Sequence, residues 1–225
     1  MMRDEPWPPF ADRAEAGRAL AERLAVRPFA PPVVVLALPR GGVPIAAIVA
    51  RRLGAALDLL LVRKIGVPWQ PELAVAAIVD GGHPEIVIDE EVRSVAGVER
   101  AEIDAAAQRE LAEIERRRAL YLRGREPLPL TGATVIVVDD GIATGTTVRA
   151  ALQALRRRGP ARLVLAVPVA PRETIARLRG EVDDLVCLAQ PVPFRAVGLH
   201  YRDFHQVEDD EVIAALDEAA ARGPV

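Results

Sequence analysis

The sequence predicts an α/β protein: an open, mostly parallel twisted sheet flanked by helices. Three observations carry that expectation. Short β-branched runs alternate with longer helical stretches along the chain. Two of these runs end in Gly-containing loops that pass straight into a helix, the place where open α/β sheets hold their ligands. The length of 225 residues suits a single domain, 1–225, with no internal repeat. A chain of this size buries roughly 70% of its unfolded surface and needs neither disulfides nor a structural metal.

The elements follow in order. A helix is expected over Asp12–Ala25, a strand at Val33–Leu38, a helix at Val43–Leu53 and a strand at Leu57–Val62. An apolar run at Leu73–Val79 and a short strand at Glu85–Ile88 lead to a long charged helix from about Val98 to Tyr121. That helix would be about 36 Å long, and it is read as an insertion over about 98–122. Its apolar stripe (Ile103, Ala107, Leu111, Ile114, Tyr121) is narrow and flanked by charges, including Glu113 and Arg117 at i,i+4. A narrow stripe buries one side only, so the helix is read as a surface element, with an oligomer contact or the arm of a lid as alternatives. Strands at Thr134–Val138, Arg162–Val167 and Asp184–Leu188 then alternate with helices at Thr146–Arg158 and Arg172–Arg179. An irregular stretch, Gln190–Gln206, precedes a last helix near Asp209–Ala221.

Composition narrows the partners. Lys plus Arg is 29 against 32 Asp plus Glu, a net charge of −3, which argues against a general nucleic-acid binder. The one cysteine, Cys187, rules out a disulfide scaffold and a Cys-based zinc cluster and suits a reducing compartment. The acidic, Pro-rich start from Met1 to Trp7 has no signal-peptide core, and no apolar stretch approaches the ~18 residues of a membrane span. A cytoplasmic protein is expected. Of the 29 basic residues only Lys64 is a lysine. It is either a chance survivor on a solvated loop or a position that requires a compact point charge.

The most informative segment runs from Val135 to Thr147, Val-Ile-Val-Val-Asp-Asp-Gly-Ile-Ala-Thr-Gly-Thr-Thr. A buried strand delivers Asp139 and Asp140 to its carboxyl end, and a loop of small residues then enters a helix. Small residues let backbone N–H groups crowd together, and the helix N-terminus and Thr hydroxyls add to them, so an anion can be held without a basic side chain. Two carboxylates nearby suit vicinal hydroxyls or a hydrated Mg²⁺. The combination describes a ligand with both a sugar and a phosphate. A P-loop is excluded, because the only lysine follows Arg63, and no strand is followed by Gly-x-Gly-x-x-Gly.

This segment resembles the phosphoribosyl-pyrophosphate (PRPP) motif of the type I phosphoribosyltransferases, and the likeness extends from Val33 to Leu188. The resemblance implies that Asp139 and Asp140 take the ribose hydroxyls and a Mg²⁺ ion. Gly141, Ala143, Thr144, Gly145, Thr146 and Thr147 would then cradle the 5′-phosphate. It also makes Arg40, Gly41 and Gly42 a pyrophosphate loop, joined by Arg63 and Lys64 at the close of the second strand. Hypoxanthine-type enzymes carry an Asp, proposed as a base, where this chain has Ala143; adenine-type enzymes carry Ala.

The stretch from Pro191 to His205 holds three of the eight aromatic residues. By resemblance it belongs to a hood, formed from about 1–32 and 190–225, that recognises the acceptor, with Phe194 and Tyr201 as acceptor-binding residues. Without the resemblance it is equally a small hydrophobic cluster tying down the C-terminal extension. His200 and His205 lack metal-ligand spacing, and His83 beside Gly81-Gly82 reads as a loop residue. The expected reaction transfers the phosphoribosyl group of PRPP to a nitrogen acceptor, expected to be a nucleobase, within nucleotide metabolism. Arg40, Lys64, Asp139 and Asp140 would carry the catalysis, with Mg²⁺ as cofactor. The expected partners are PRPP, a small-molecule acceptor and a second copy of the chain in a dimer, with no nucleic acid or membrane. The alternatives are a regulator that senses PRPP without turnover and an enzyme acting on other phosphorylated sugars.

Overall fold

The computed structural model describes residues 9–80 and 84–222. The part of the expected hood before residue 9 and the loop around His83 lie outside them. A five-stranded parallel sheet is built from β1 (Val33–Ala37), β2 (Ala56–Leu59), β6 (Thr134–Val138), β7 (Arg162–Val169) and β8 (Asp184–Ala189), in the order β2-β1-β6-β7-β8. Register runs Val35 to Leu57 on one side of β1 and Val35 to Ile136 on the other, and continues from Ile136 to Val164.

Both faces of this sheet are covered, so its strands are apolar almost throughout. Val35, Ala37, Ile136 and Val138 point to one face, where they meet α1 (Arg13–Ala25), α2 (Gly42–Leu53) and α7 (Asp209–Arg222). Val34, Leu36, Val135 and Val137 point to the other and pack on α5 (Thr146–Arg157) and α6 (Arg172–Leu178). The period-two alternation of Cβ directions sorts one run of apolar residues into two cores. Helix α1 starts at Asp12, whose side chain accepts the Glu15 N–H at 2.7 Å, and α2 stops at Gly54 in the left-handed region (φ 62). The predicted fold class holds.

The expected second strand, Leu57–Val62, is two strands in two sheets. Leu60 still donates its N–H to the Ala37 carbonyl of β1 at 2.9 Å. Beyond it the chain leaves for an antiparallel sheet of β3 (Leu61–Val67), β4 (Gln70–Asp80) and β5 (Glu85–Ile88). The apolar run at Leu73–Val79 is the middle of β4. A short helix α3 (Glu90–Ala96), unanticipated from the sequence, follows, capped by the Asp89 side chain at the Val92 N–H and closed by Gly97 at φ 64. The long helix is α4 (Arg100–Leu122), opened by a capping box between Glu99 and Glu102. Of its predicted stripe, Ile103, Ala107, Ile114 and Tyr121 are buried and Leu111 is half-buried, against the antiparallel sheet and α7.

Candidate active site

Three loops converge at the carboxyl ends of β1, β6 and β7. The β1 loop, Leu38 to Gly42, lies so close to the acidic pair that only glycine fits. A Cβ on Gly41 would stand 2.0 Å from Oδ2 of Asp140, and one on Gly42 would stand 2.7 Å from the Val138 carbonyl. Gly41-Gly42 therefore does more than free backbone amides; it lets the expected pyrophosphate loop rest on the acidic pair. Arg40 follows a cis peptide bond and reaches α7, with Nη1 3.3 Å from Oδ1 of Asp209 and 4.0 Å from Oε2 of Glu208. The Tyr121 hydroxyl donates to the same Asp209 oxygen at 2.6 Å.

Asp139 and Asp140 stand side by side after β6. Oδ1 of Asp139 accepts the backbone N–H of Asp140 at 2.8 Å. Burial and the neighbouring Asp140 charge push the Asp139 carboxyl well above the usual carboxylate range. Burial also raises Asp140, against the pull of Arg13. Arg13, on the first turn of α1, is the one buried arginine among the described residues, at 7% exposure. Its Nε and Nη2 each lie 2.9 Å from Oδ2 of Asp140, and its Nη1 donates to the His205 carbonyl at 2.7 Å. The guanidinium also sits 3.9 Å from the centre of the Phe204 ring.

The cradle is held open by α6. The Thr174 hydroxyl donates to the Ala143 carbonyl at 2.7 Å, and Arg177 Nη2 donates to the Thr144 carbonyl at 3.1 Å. In a trans peptide the C=O and N–H point in opposite directions, so the N–H groups of Thr144 and Gly145 turn away from α6. Gly145 takes φ +80, and a Cβ there would meet the Thr174 methyl at 2.7 Å. The first amides of α5 follow at once, without intrahelical partners. The result is a run of donors at a helix N-terminus, facing an opening that Arg149 and Arg177 also line.

Lys64 and Arg63 are not at the end of a parallel strand, as the sequence suggested; both lie within β3. Residues paired across an antiparallel ladder share a face. Lys64, exposed, is paired with Ala77, which lines a cavity of about 790 Å³ between the antiparallel sheet, α5 and the cradle residues Thr144 to Thr146. Lys64 therefore leaves its sheet on the face that packs on α5, although it does not itself line the cavity. Arg63 leaves on the other, and its Nε donates to Glu110 of α4 at 2.7 Å. Neither Asp139, Asp140 nor Arg40 lines that cavity.

The two aromatic candidates differ. Phe194 is half-buried and stacks on His200, with ring centroids 4.9 Å apart; Nε2 of His200 is buried without a partner, and burial lowers its pKa. Tyr201 is enclosed rather than presented. Its ring packs against Phe10 and Phe204, and its hydroxyl donates to the Asp140 carbonyl at 2.5 Å. Burial drives its pKa upward, so the phenol stays a donor. Phe10 also pairs with Tyr201 through backbone bonds, which joins the N-terminal segment to the irregular C-terminal stretch.

Comparison with known proteins gives the family of the chain. A model of the phosphoribosyl transferase domain matches residues 12–203. A protein of Mycobacterium tuberculosis strain H37Rv named as a phosphoribosyl transferase, Rv0571c, is 50% identical over 210 residues, 93% of this chain and 47% of that protein. The chain thus spans about half the length of the curated relative. TT1426 of Thermus thermophilus, known from a crystal structure, superposes with a TM-score of 0.82 at 42% identity, covering 93% of this chain and 98% of that one. A 42-residue stretch, 18% of this chain, is also 57% identical to the bifunctional protein PyrR of Chloroflexus aurantiacus and covers 23% of it. The chain belongs to the phosphoribosyl transferase domain family.

Proposed function

We propose that this chain transfers the 5-phosphoribosyl group of PRPP to a nitrogen acceptor, a nucleobase in the first instance, with release of pyrophosphate. The observation that supports this most is the pairing of two side-by-side carboxylates with a cradle whose carbonyls are drawn off by α6. In this reading the amides of Thr144 to Thr147 hold the 5′-phosphate, and Asp139 and Asp140 accept hydrogen bonds from the ribose hydroxyls. Arg40 exchanges Asp209 for the pyrophosphate, one anion for another, while the Gly41-Gly42 backbone lies against it. Lys64 adds a point charge from the antiparallel sheet. The C1–O bond to pyrophosphate breaks as the C1–N bond forms, the surrounding carboxylates stabilise the positive charge on the sugar, and the acceptor nitrogen loses its proton to the departing pyrophosphate and solvent rather than to a general base.

Among the described residues no cluster of three or more acidic, His or Cys side chains could hold a metal alone. Mg²⁺ takes one or two carboxylates and completes its shell with water and substrate phosphates. The hard oxygens of Asp139 and Asp140 not used by Arg13 fit that demand, and such an ion would neutralise charge on the leaving pyrophosphate. Phe194 offers the acceptor an aromatic face, at the hood made by the N-terminal segment and residues beyond 190.

The test is pyrophosphate release from PRPP and Mg²⁺ with a panel of purines, pyrimidines and simple amines. Release with only some members is the expected result. Hypoxanthine should be poor, because Ala143 offers no carboxylate to a purine nitrogen. Tight PRPP binding without release across the panel would favour a PRPP sensor, and absence of PRPP binding would overturn the proposal.

A further inference from the structure

We infer that Arg13 is a positioning residue for the ribose-binding carboxylate: its fork fixes Oδ2 of Asp140 and thereby aims Oδ1 at the sugar. The inference rests on the proposed PRPP reading. Nε of Arg13 donates to Oδ2 at 2.9 Å, and Nη2 stands at the same 2.9 Å from that oxygen as its ion-pair partner. Among the described residues no other side chain bonds or ion-pairs with this carboxylate, which leaves Oδ1 free of side-chain partners. A carboxylate pinned through one oxygen has its second oxygen oriented, which is what a directional bond to a hydroxyl requires.

Arg13 cannot rotate away without breaking several other contacts. Nη1 donates to the His205 carbonyl, the guanidinium lies over Phe204, and the side chain is only 8% exposed. The Gly41 backbone closes the other side of the same carboxylate, at a distance where a single added Cβ would stand 2.0 Å from Oδ2. Asp140 is thus gripped between α1 and the expected pyrophosphate loop. Among the described residues Arg13 also supplies the one cation in contact with the acidic pair, which matters where two neighbouring carboxylates must admit a ligand carrying several phosphate charges.

The role separates from mere structural support through the ligand. Ribose 5-phosphate engages both the cradle and the carboxylates, whereas inorganic phosphate engages the cradle alone. The experiment titrates PRPP, ribose 5-phosphate and inorganic phosphate into the full chain by calorimetry, for the wild type, Arg13→Lys and Arg13→Met. Lysine keeps the charge but has no fork to pin Oδ2 and the His205 carbonyl together. Expected losses in ribose 5-phosphate affinity are about tenfold for Arg13→Lys and about a hundredfold for Arg13→Met, with inorganic phosphate changed less than about twofold. Should Arg13→Met fail to fold by circular dichroism, the Arg13→Lys arm decides. Parallel loss of both ligands, or undiminished ribose 5-phosphate binding, would overturn the inference while wild-type PRPP binding leaves the proposed function standing. A wild type that binds no PRPP would overturn both.

Discussion

Every residue of β6 from Thr134 to Val138 is buried, while β3 alternates between buried Leu61, Ile65 and Val67 and the exposed Lys64. The first strand is covered on both faces by helices; the second is part of a sheet with one face on α4 and a cavity opening beside the other. The difference decides how tightly each sheet fixes the groups it carries. Loops rising from the parallel sheet are tightly placed, because the Gly41-Gly42 backbone rests directly on the Val138 carbonyl and the Asp140 carboxylate. Lys64, delivered by the antiparallel sheet, carries its charge at the end of a long, exposed side chain. We therefore expect ribose and phosphate binding to depend on the first region and turnover on the second.

A pair of glycines breaks or upholds that division most sharply. A Cβ on Gly41 would stand 2.0 Å from Asp140 Oδ2, and one on Gly66, in β3, 2.3 Å from the Pro71 carbonyl. Overpacking of this kind costs about 1–3 kcal/mol. Gly41→Ala should therefore lower PRPP affinity about ten- to hundredfold by calorimetry. Gly66→Ala should lower the melting temperature by a comparable free energy but leave PRPP affinity within about threefold. Equal losses of affinity in the two variants would erase the distinction.

The acidic pair sharpens it from the parallel side. In the fold Asp139 keeps its proton to higher pH than in the unfolded chain, where a carboxyl titrates near about 3.9. Across that window the native state binds more protons, so stability falls as pH rises from below the unfolded value through the raised one. Asp139→Asn removes this cost while its amide oxygen can still accept the Asp140 N–H. The variant should melt higher than the wild type at pH 8 and by a smaller margin at pH 4, by about 2–4 °C for each kcal/mol relieved. It should also lose about ten- to hundredfold in PRPP affinity, as expected for a missing charged hydrogen bond. A lower melting temperature at pH 8 would mean that Asp139 is held as a stabilising ion.

The same contrast explains what can be read in the sequence. β6 is legible to the residue because a strand buried on both faces is an uninterrupted apolar run closed by Asp139. The run from Leu57 to Val62 looks equally continuous, yet the chain changes sheets at Leu60, and nothing local marks a switch made by pairing to Ala37. That one switch moves Arg63 and Lys64 from a parallel strand end to the interior of β3. The signals for α3 are present, Asp89 as a cap and Gly97 as a stop, but its seven residues are too short to show a periodic face. Arg13 is illegible for another reason: its partner Asp140 lies 127 positions away, and nothing local distinguishes it from the chain's other arginines. The sequence groups Tyr201 with Phe194 as an aromatic face, whereas tertiary packing spends its hydroxyl on the Asp140 carbonyl.

Lys64 tests the antiparallel side directly. It is exposed, so Lys64→Ala and Lys64→Arg should both melt within about 0.5 kcal/mol of the wild type. PRPP affinity should change little in either, while pyrophosphate release with an accepted base should fall about tenfold. Lys64→Arg should not restore it, since a planar fork is a poor substitute for a compact charge near the leaving group. Full turnover in both variants would return Lys64 to an ordinary solvated residue and leave the antiparallel sheet without a chemical role.

The smallest effect is expected on the far face of the same sheet. Arg63 and Glu110 join β3 to α4 at 2.7 Å, with side chains 35% and 29% exposed. A pair this open to water gains little over solvation and is screened by salt, so Arg63→Gln or Glu110→Gln should cost about 0.5 kcal/mol, and less at 1 M salt. Docking of α4 would then rest on Ile103, Ala107 and Ile114, which are buried. Because Arg63 points away from the cradle, PRPP affinity should not change. A loss of PRPP binding in Arg63→Gln with its melting temperature intact would show that the guanidinium swings to the ligand, and that β3 presents both of its basic residues to the site after all. A loss of several kcal/mol would instead make this ion pair, rather than the apolar stripe, the hinge between the long helix and the sheet.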